Sequence, residues 1–116
     1  MARPLRQRGD GGEPGALTAL GNGRFELSGS VGLADASRLL AAGDAAFRDQ
    51  PAVEVDLAGV SRADSAGLAL LLEWSLSARD AGRAIRYRNV PASLASLASL
   101  AGVGAAPGLL ESSAGG

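Results

Sequence analysis

The chain has 116 residues and a formal net charge of -1, from 11 Lys plus Arg against 12 Asp plus Glu. That length is one domain's worth, and 47% hydrophobic with 20% charged residues is a globular balance. The absence of Cys and His excludes disulfides, thiol nucleophiles, imidazole bases and zinc held by either residue, and near-neutral charge with 3% aromatics argues against nucleic-acid binding.

Residues 1–14 carry Arg3, Arg6 and Arg8 and then Gly-Asp-Gly-Gly, with no apolar period. A disordered tail is expected there, and another over the small, polar residues 111–116. The folded domain is expected over 15–110. The N-terminus lacks the apolar stretch of a signal peptide. The longest mostly apolar run, Ala66 to Leu72, falls far short of the ~20 residues that a membrane span needs. A cytoplasmic protein without direct membrane insertion is expected.

Ala16–Leu20 and Arg24–Ser28 flank Gly21-Asn22-Gly23. Asn-Gly between such runs predicts a hairpin, because both residues accept positive φ. Gly29 to Gly32 reads as a turn. From Ala34 to Arg48, Leu39, Leu40, Gly43 and Phe47 recur at three- and four-residue spacing and predict a helix. Asp35 near its start suits the helix dipole.

Ala52–Leu57 alternates as a strand, with Val53, Val55 and Leu57 on one face. Ala58 to Ala63 reads as a loop. Asp64-Ser65-Ala66-Gly67 then opens a second helix to about Asp80, with Leu68, Leu71, Leu72 and Leu76 as its apolar stripe and Gly82 as its stop. Ala84–Arg88 alternates again, Ile85 and Tyr87 one way and Arg86 and Arg88 the other. Pro91 is placed to start a third helix at the favoured first position. Leu94, Leu97 and Leu100 would share a face, and Gly102 and Gly104 would end it. The order β-β-α-β-α-β-α predicts a small α/β domain with a mixed sheet and helices packed on it.

The start of the second helix stands out. A helix N-terminus exposes four unpaired N–H groups and the positive end of the dipole. Asp64 is a good N-cap, and Ser65 and Ala66 are small residues at an exposed tip that a partner's backbone can approach. Gly67 costs up to ~1 kcal/mol of helix propensity against Ala. Close approach of a partner, or of the strand beneath, would offset that. The plain reading is a cap and a bland first turn; the functional reading is a docking tip.

Trp74, the sole Trp, is either a core-edge residue or an interface anchor. With Leu70 it would form an apolar patch bordering the tip. Arg62 is either a solvated loop residue or the partner of an acid on a binding protein. Arg83, Arg86 and Arg88 form a basic cluster, solvated or weakly attractive to anionic lipid. Asp56 and Asp64 are not flanked by a nucleotide loop, so neither a metal nor a cofactor is expected. Asp56 is expected to bond backbone in the strand-to-loop region.

The segment Val55-Asp56-Leu57, a short connection and then Asp64-Ser65-Ala66-Gly67-Leu68 resembles a STAS domain, the fold of bacterial anti-sigma-factor antagonists. The element order over about 15–110 and the run Asn89-Val90-Pro91 into a Leu-rich helix fit the same family. In the antagonists the phosphorylated serine immediately precedes the Gly. Ala66 holds that position here and cannot be phosphorylated. The stretch Asp64-Ser65-Ala66-Gly67-Leu68-Ala69-Leu70-Leu71-Leu72, with Val60-Ser61-Arg62-Ala63 before it, is similar instead to the MlaB group. Those are the STAS subunits of the Mla lipid-transport ABC systems.

That resemblance implies a non-catalytic accessory subunit that binds and regulates a cytoplasmic, MlaF-like ATPase. It implies membrane association only through the transporter complex. The hydroxyl residue after the Asp lies at the ATPase contact in that group, and Ser65 occupies the position. The partner surface is expected to comprise Arg62, Asp64, Ser65, Ala66, Gly67, Leu70 and Trp74. Two alternatives stay open. One is an anti-sigma-factor antagonist bound to a serine-kinase anti-sigma factor, with Ser65 as a candidate phosphorylation site. The other is a nucleotide- or small-molecule-sensing STAS module.

Overall fold

A computed structural model describes residues 13–100. The elements follow the expected order: β1 (Ala16–Gly21), β2 (Arg24–Val31), α1 (Leu33–Phe47), β3 (Ala52–Ala63), α2 (Ser65–Asp80), β4 (Ala84–Arg88) and α3 (Ala92–Leu100). The strands form one sheet in the order β1-β2-β3-β4. β1 pairs antiparallel with β2, while β2, β3 and β4 run parallel. This is an α/β fold with a four-stranded mixed sheet and, among the described residues, three helices.

The hairpin turns on Asn22 (φ 58) and Gly23 (φ 77). Positive φ at both positions matches the twist of the flanking strands. The parallel pairs need crossovers, which α1 and α2 supply. Consequently the N-termini of α1 and α2 both follow the C-terminal ends of neighbouring strands.

Two connections turn out to be strand. β2 does not turn at Gly29 but continues to Val31. β3 runs on through Ala58–Ala63, pairing Ser28 with Gly59, Gly29 with Val60, Ser30 with Arg62 and Val31 with Ala63 across two register shifts. Burial still alternates along β2 to Val31, with Gly29 in place of an apolar side chain, whereas alternation lapses after Leu57 in β3; backbone pairing holds both stretches, and backbone bonds leave no periodic signal. The chain also joins the sheet early: Ser30 N–H donates to the Glu13 carbonyl at 2.9 Å, and Pro14 bridges Ser30. The tail expected over 1–14 thus meets the sheet at its last two residues. Its remainder, the tail at 111–116 and the helix stop at Gly102 and Gly104 lie outside the described residues.

The core lies between the helices and one sheet face. Phe25, Leu27, Val31, Val53, Val55, Leu57 and Tyr87 point into it. The opposite face carries Arg24, Glu54 and Arg86 in one row and Glu26, Asp56 and Arg88 in the next.

The α2 stripe is rotated from the expected one. Its buried residues are Gly67, Leu68, Leu70, Leu71, Trp74 and Ala78, while Leu76 is 51% exposed. The helix packs against α1 as well as the sheet, so its apolar arc is wider and turned toward α1. Trp74 is 1% exposed. Its ring meets Phe47 edge-on at 5.2 Å, and Phe47 meets Phe25 at 4.9 Å. Its indole N–H donates to the Leu40 carbonyl at 3.5 Å.

In α3 the first helical residue is Ala92, not Pro91. The Pro91 carbonyl accepts the Ala95 N–H at 3.0 Å, which makes Pro91 the flanking cap. Leu94 and Ala98 are buried and Leu100 is 85% exposed, so an i, i+4 pair faces the core rather than a Leu triplet. Tyr87 is fully buried. Its hydroxyl donates to the Leu71 carbonyl at 2.6 Å and lies 3.3 Å from Ser75 Oγ.

Candidate functional site

The first turns of α1 and α2 are joined by one side chain. Asp64 caps α2, its Oδ1 accepting the N–H groups of Ala66 at 2.8 Å and Gly67 at 3.3 Å. Its Oδ2 accepts the Leu33 N–H, the first of α1, at 3.4 Å. One carboxylate therefore satisfies orphan donors of two helices and places its charge at both positive dipole ends. Gly32 makes room for this: a Cβ there would sit 2.9 Å from Asp64 Oδ2.

Ser65 follows at the exposed tip, beside exposed Asp64 and half-buried Ala66. Arg62, on the last residues of β3, is exposed too. Gly67 points inward. A Cβ on it would collide with the Val31 carbonyl oxygen. The strand beneath is thus the reason for this glycine, which lets α2 seat on the end of β2.

The tip does not extend to Leu70 and Trp74 as an exposed patch. Both are buried, at 2% and 1% exposure. Trp74 is core because α1 carries Gly43 opposite it: a Cβ at Gly43 would lie 2.7 Å from Trp74 Cζ2 and closer still to Nε1. Only a residue without a side chain admits the indole there, and that complement lies 31 positions away in the sequence.

Leu70 forms part of the floor of a shallow groove between the first halves of α1 and α2. Sequence reading missed the α1 side of this groove and also Leu33, which is 81% exposed at the tip. The available signal was the spacing Leu33, Ala36, Ser37, Leu40, a second stripe on α1 beside the buried Leu39–Gly43–Phe47 line.

Of the other singled-out residues, Asp56, Arg83 and Arg88 have structural partners. Asp56 accepts the Asn89 side-chain amide at 2.9 Å and the Ala58 N–H at 2.9 Å. These two bonds, the first foremost, hold its carboxyl below the ordinary aspartate range. Arg83 donates to the Gln50 carbonyl at 3.1 Å, and Arg88 pairs with Glu54 at 3.1 Å. No described helix is long and apolar enough to cross a membrane.

The family model for the Mlab STAS domain matches residues 18–111. No curated protein matches the chain. Among solved structures, the anti-sigma factor antagonist SpoIIAA in its unphosphorylated form is 12% identical, with 74% of this chain and 82% of that one covered at a TM-score of 0.59. SpoIIAA in its phosphorylated form, described as a Bacillus cell fate determinant, is 14% identical, with 78% and 86% covered and a TM-score of 0.61. A sulfate transporter family protein from Wolinella succinogenes is 20% identical, with 76% and 72% covered and a TM-score of 0.58. These likenesses show a shared fold. The match over residues 18–111 is more specific, and it spans the Asp64 tip: the chain belongs to the Mlab family of STAS domains.

Proposed function

We propose that this chain is a non-catalytic STAS subunit of an Mla-type phospholipid-transport ABC complex, and that it docks on the cytoplasmic ATPase through the α2 tip. Asp64, Ser65 and Ala66 form the contact, with Arg62 on the approach and Gly67 seating the helix beneath. The observation that carries the reading is the Asp64 clamp. It fixes two helix starts side by side and leaves a small, exposed Ser65 at their tip. Membership of the Mlab family supports the choice of partner. Ala66 at the position before Gly67 disfavours an antagonist switched by phosphorylation at that site.

Regulation needs no chemistry from this chain. A subunit that binds one conformation of the ATPase better than another shifts the equilibrium toward that state. The test is affinity capture from native cells with tagged wild type and Ser65→Arg, a change at an exposed position. Recovery of an ABC ATPase with its membrane subunit by wild type and not by the variant is expected. Recovery of a serine-kinase anti-sigma factor in place of the ATPase, or ATPase binding by Ser65→Arg equal to wild type, overturns the proposal.

A further inference from the structure

No described strand pairs with the outer side of β1, the first strand in the sheet order β1-β2-β3-β4. Its backbone over Ala16–Gly21 therefore presents a row of N–H and C=O groups that faces solvent unless a strand is added. Edge strands are ordinarily guarded by charge or proline within that row. The other edge is so guarded: β4 carries Arg86 and Arg88. β1 reads Ala-Leu-Thr-Ala-Leu-Gly, with neither. The bulge between Ala19 and Gly21 lies at its hairpin end and leaves Ala16–Ala19 in regular register with β2.

The core also runs out open at this edge. Leu17 and Ala19 lie opposite Leu27 and Phe25 on the helix-facing side of the sheet. Leu27 and Phe25 are buried, but Leu17 is half-buried and Ala19 is exposed. A strand added beside β1 covers both.

We propose that β1 pairs antiparallel with β1 of a second copy about a two-fold axis at Thr18, joining the two four-stranded sheets edge to edge. The strand fits its own image. That register sets Leu17 against Ala19 of the copy on the helix-facing side, Ala16 against Leu20 of the copy, and Thr18 against Thr18. Each leucine meets an alanine, and Thr–Thr pairs are favourable across strands. No charge faces its own image, whereas β4 paired in the same way would set Arg86 against Arg86. A two-fold contact of this kind closes at two copies. α1 lies over β1 and β2, with Arg38 donating to the Gly15 carbonyl at 2.8 Å, and α2 lies over β3 and β4. The pairing therefore does not use the α2 tip, and it stands or falls separately from the docking reading.

The chain has no Cys, so one introduced thiol reports one position. Directly opposite residues on antiparallel strands have Cα atoms about 4.5–5.5 Å apart, within disulfide reach. Thr18→Cys and Arg86→Cys, both at exposed positions, are oxidised mildly in the full chain. Sedimentation of wild type, Thr18→Arg and Thr18→Glu is followed between about 1 μM and 1 mM, the range of a small interface. Melting temperature is checked in each, and amide exchange in β1 is recorded.

The wild type is expected to pass from one copy to two over that range, with a disulfide-linked pair from Thr18→Cys and none from Arg86→Cys. Thr18→Arg or Thr18→Glu alone should raise the dissociation constant about fivefold by setting like charges opposite one another, and an equal mixture of the two should restore pairing. A wild type that stays single to the top of the range overturns the proposal; protection of the outward β1 amides in that single copy assigns the edge to another segment of the same chain. Pairs that survive both charged variants unchanged, or disulfides that form as readily through Arg86→Cys, place the association away from β1 and overturn it as well.

Discussion

The Trp74 indole occupies the space that a side chain at Gly43 would need. A Cβ there would fall 2.7 Å from Cζ2 and closer to Nε1. The ring has little freedom to retreat, since Phe47 holds it edge-on at 5.2 Å and Leu40 accepts its N–H.

Gly43→Ala is therefore expected to destabilise the domain although it improves helix propensity. Overpacking a tight core costs about 1–3 kcal/mol, and the propensity gain offsets up to ~1 kcal/mol. A net loss of about 1–2 kcal/mol in urea unfolding is expected. A stabilised variant would show that the two helices separate freely at this contact.

Asp64→Ala removes the acceptor for donors of two helices at once. A loss of about 1–2 kcal/mol is expected, at the upper end for a cap. Amide exchange should accelerate at Leu33 as well as at Ala66 and Gly67, because all three N–H groups lose their side-chain partner. Exchange unchanged at Leu33 would show that the carboxylate caps α2 alone.

Asp56 should titrate below the ordinary aspartate value of 3.8. Its folded-state pKa is depressed, so its contribution to stability is present above the unfolded value and is lost as pH falls through the folded one. Asn89→Ala removes the foremost cause and should move the titration upward in carbon-detected carboxyl NMR. An unmoved Asp56 titration in that variant would reassign the shift to the Ala58 N–H.

Burial holds the Tyr87 phenol protonated well above its ordinary value of 10.0. The raised value means stability is fully present below pH 10 and is lost as pH rises further. Phenolate absorbance should therefore appear together with loss of the folded signal, not before it. Tyr87→Phe should cost about 1 kcal/mol, the net value of one hydrogen bond, here the bond to the Leu71 carbonyl. Reversible phenolate formation in a domain that stays folded would contradict the burial.

The STAS fold followed from the family resemblance of Val55–Leu57 and Asp64–Leu68; local chemistry in the sequence determined the element order, the hairpin at Asn22-Gly23, the Asp64 cap and the inward faces of β3 and β4. Each rests on residues within a few positions of one another: alternation for strands, a 3.6-residue period for α1, a carboxylate before a helix, two residues that accept positive φ. The C-terminal half of β3 escaped that reading, because strand pairing between Ser28–Val31 and Gly59–Ala63 is made by backbone groups that every residue carries.

Only the tertiary structure decided which apolar residues are buried. Trp74 and Leu70 looked like a surface patch because their own helix already had a leucine stripe, and the cavity made by Gly43 on another helix was out of view. Leu76, on that stripe, is exposed. Gly67 answers to the Val31 carbonyl. The Asp64–Leu33 bond and the groove beside it exist because parallel strands bring two helix starts together. Burial and groove shape depend on neighbours distant in sequence, and no local period encodes which neighbour a helix face will meet.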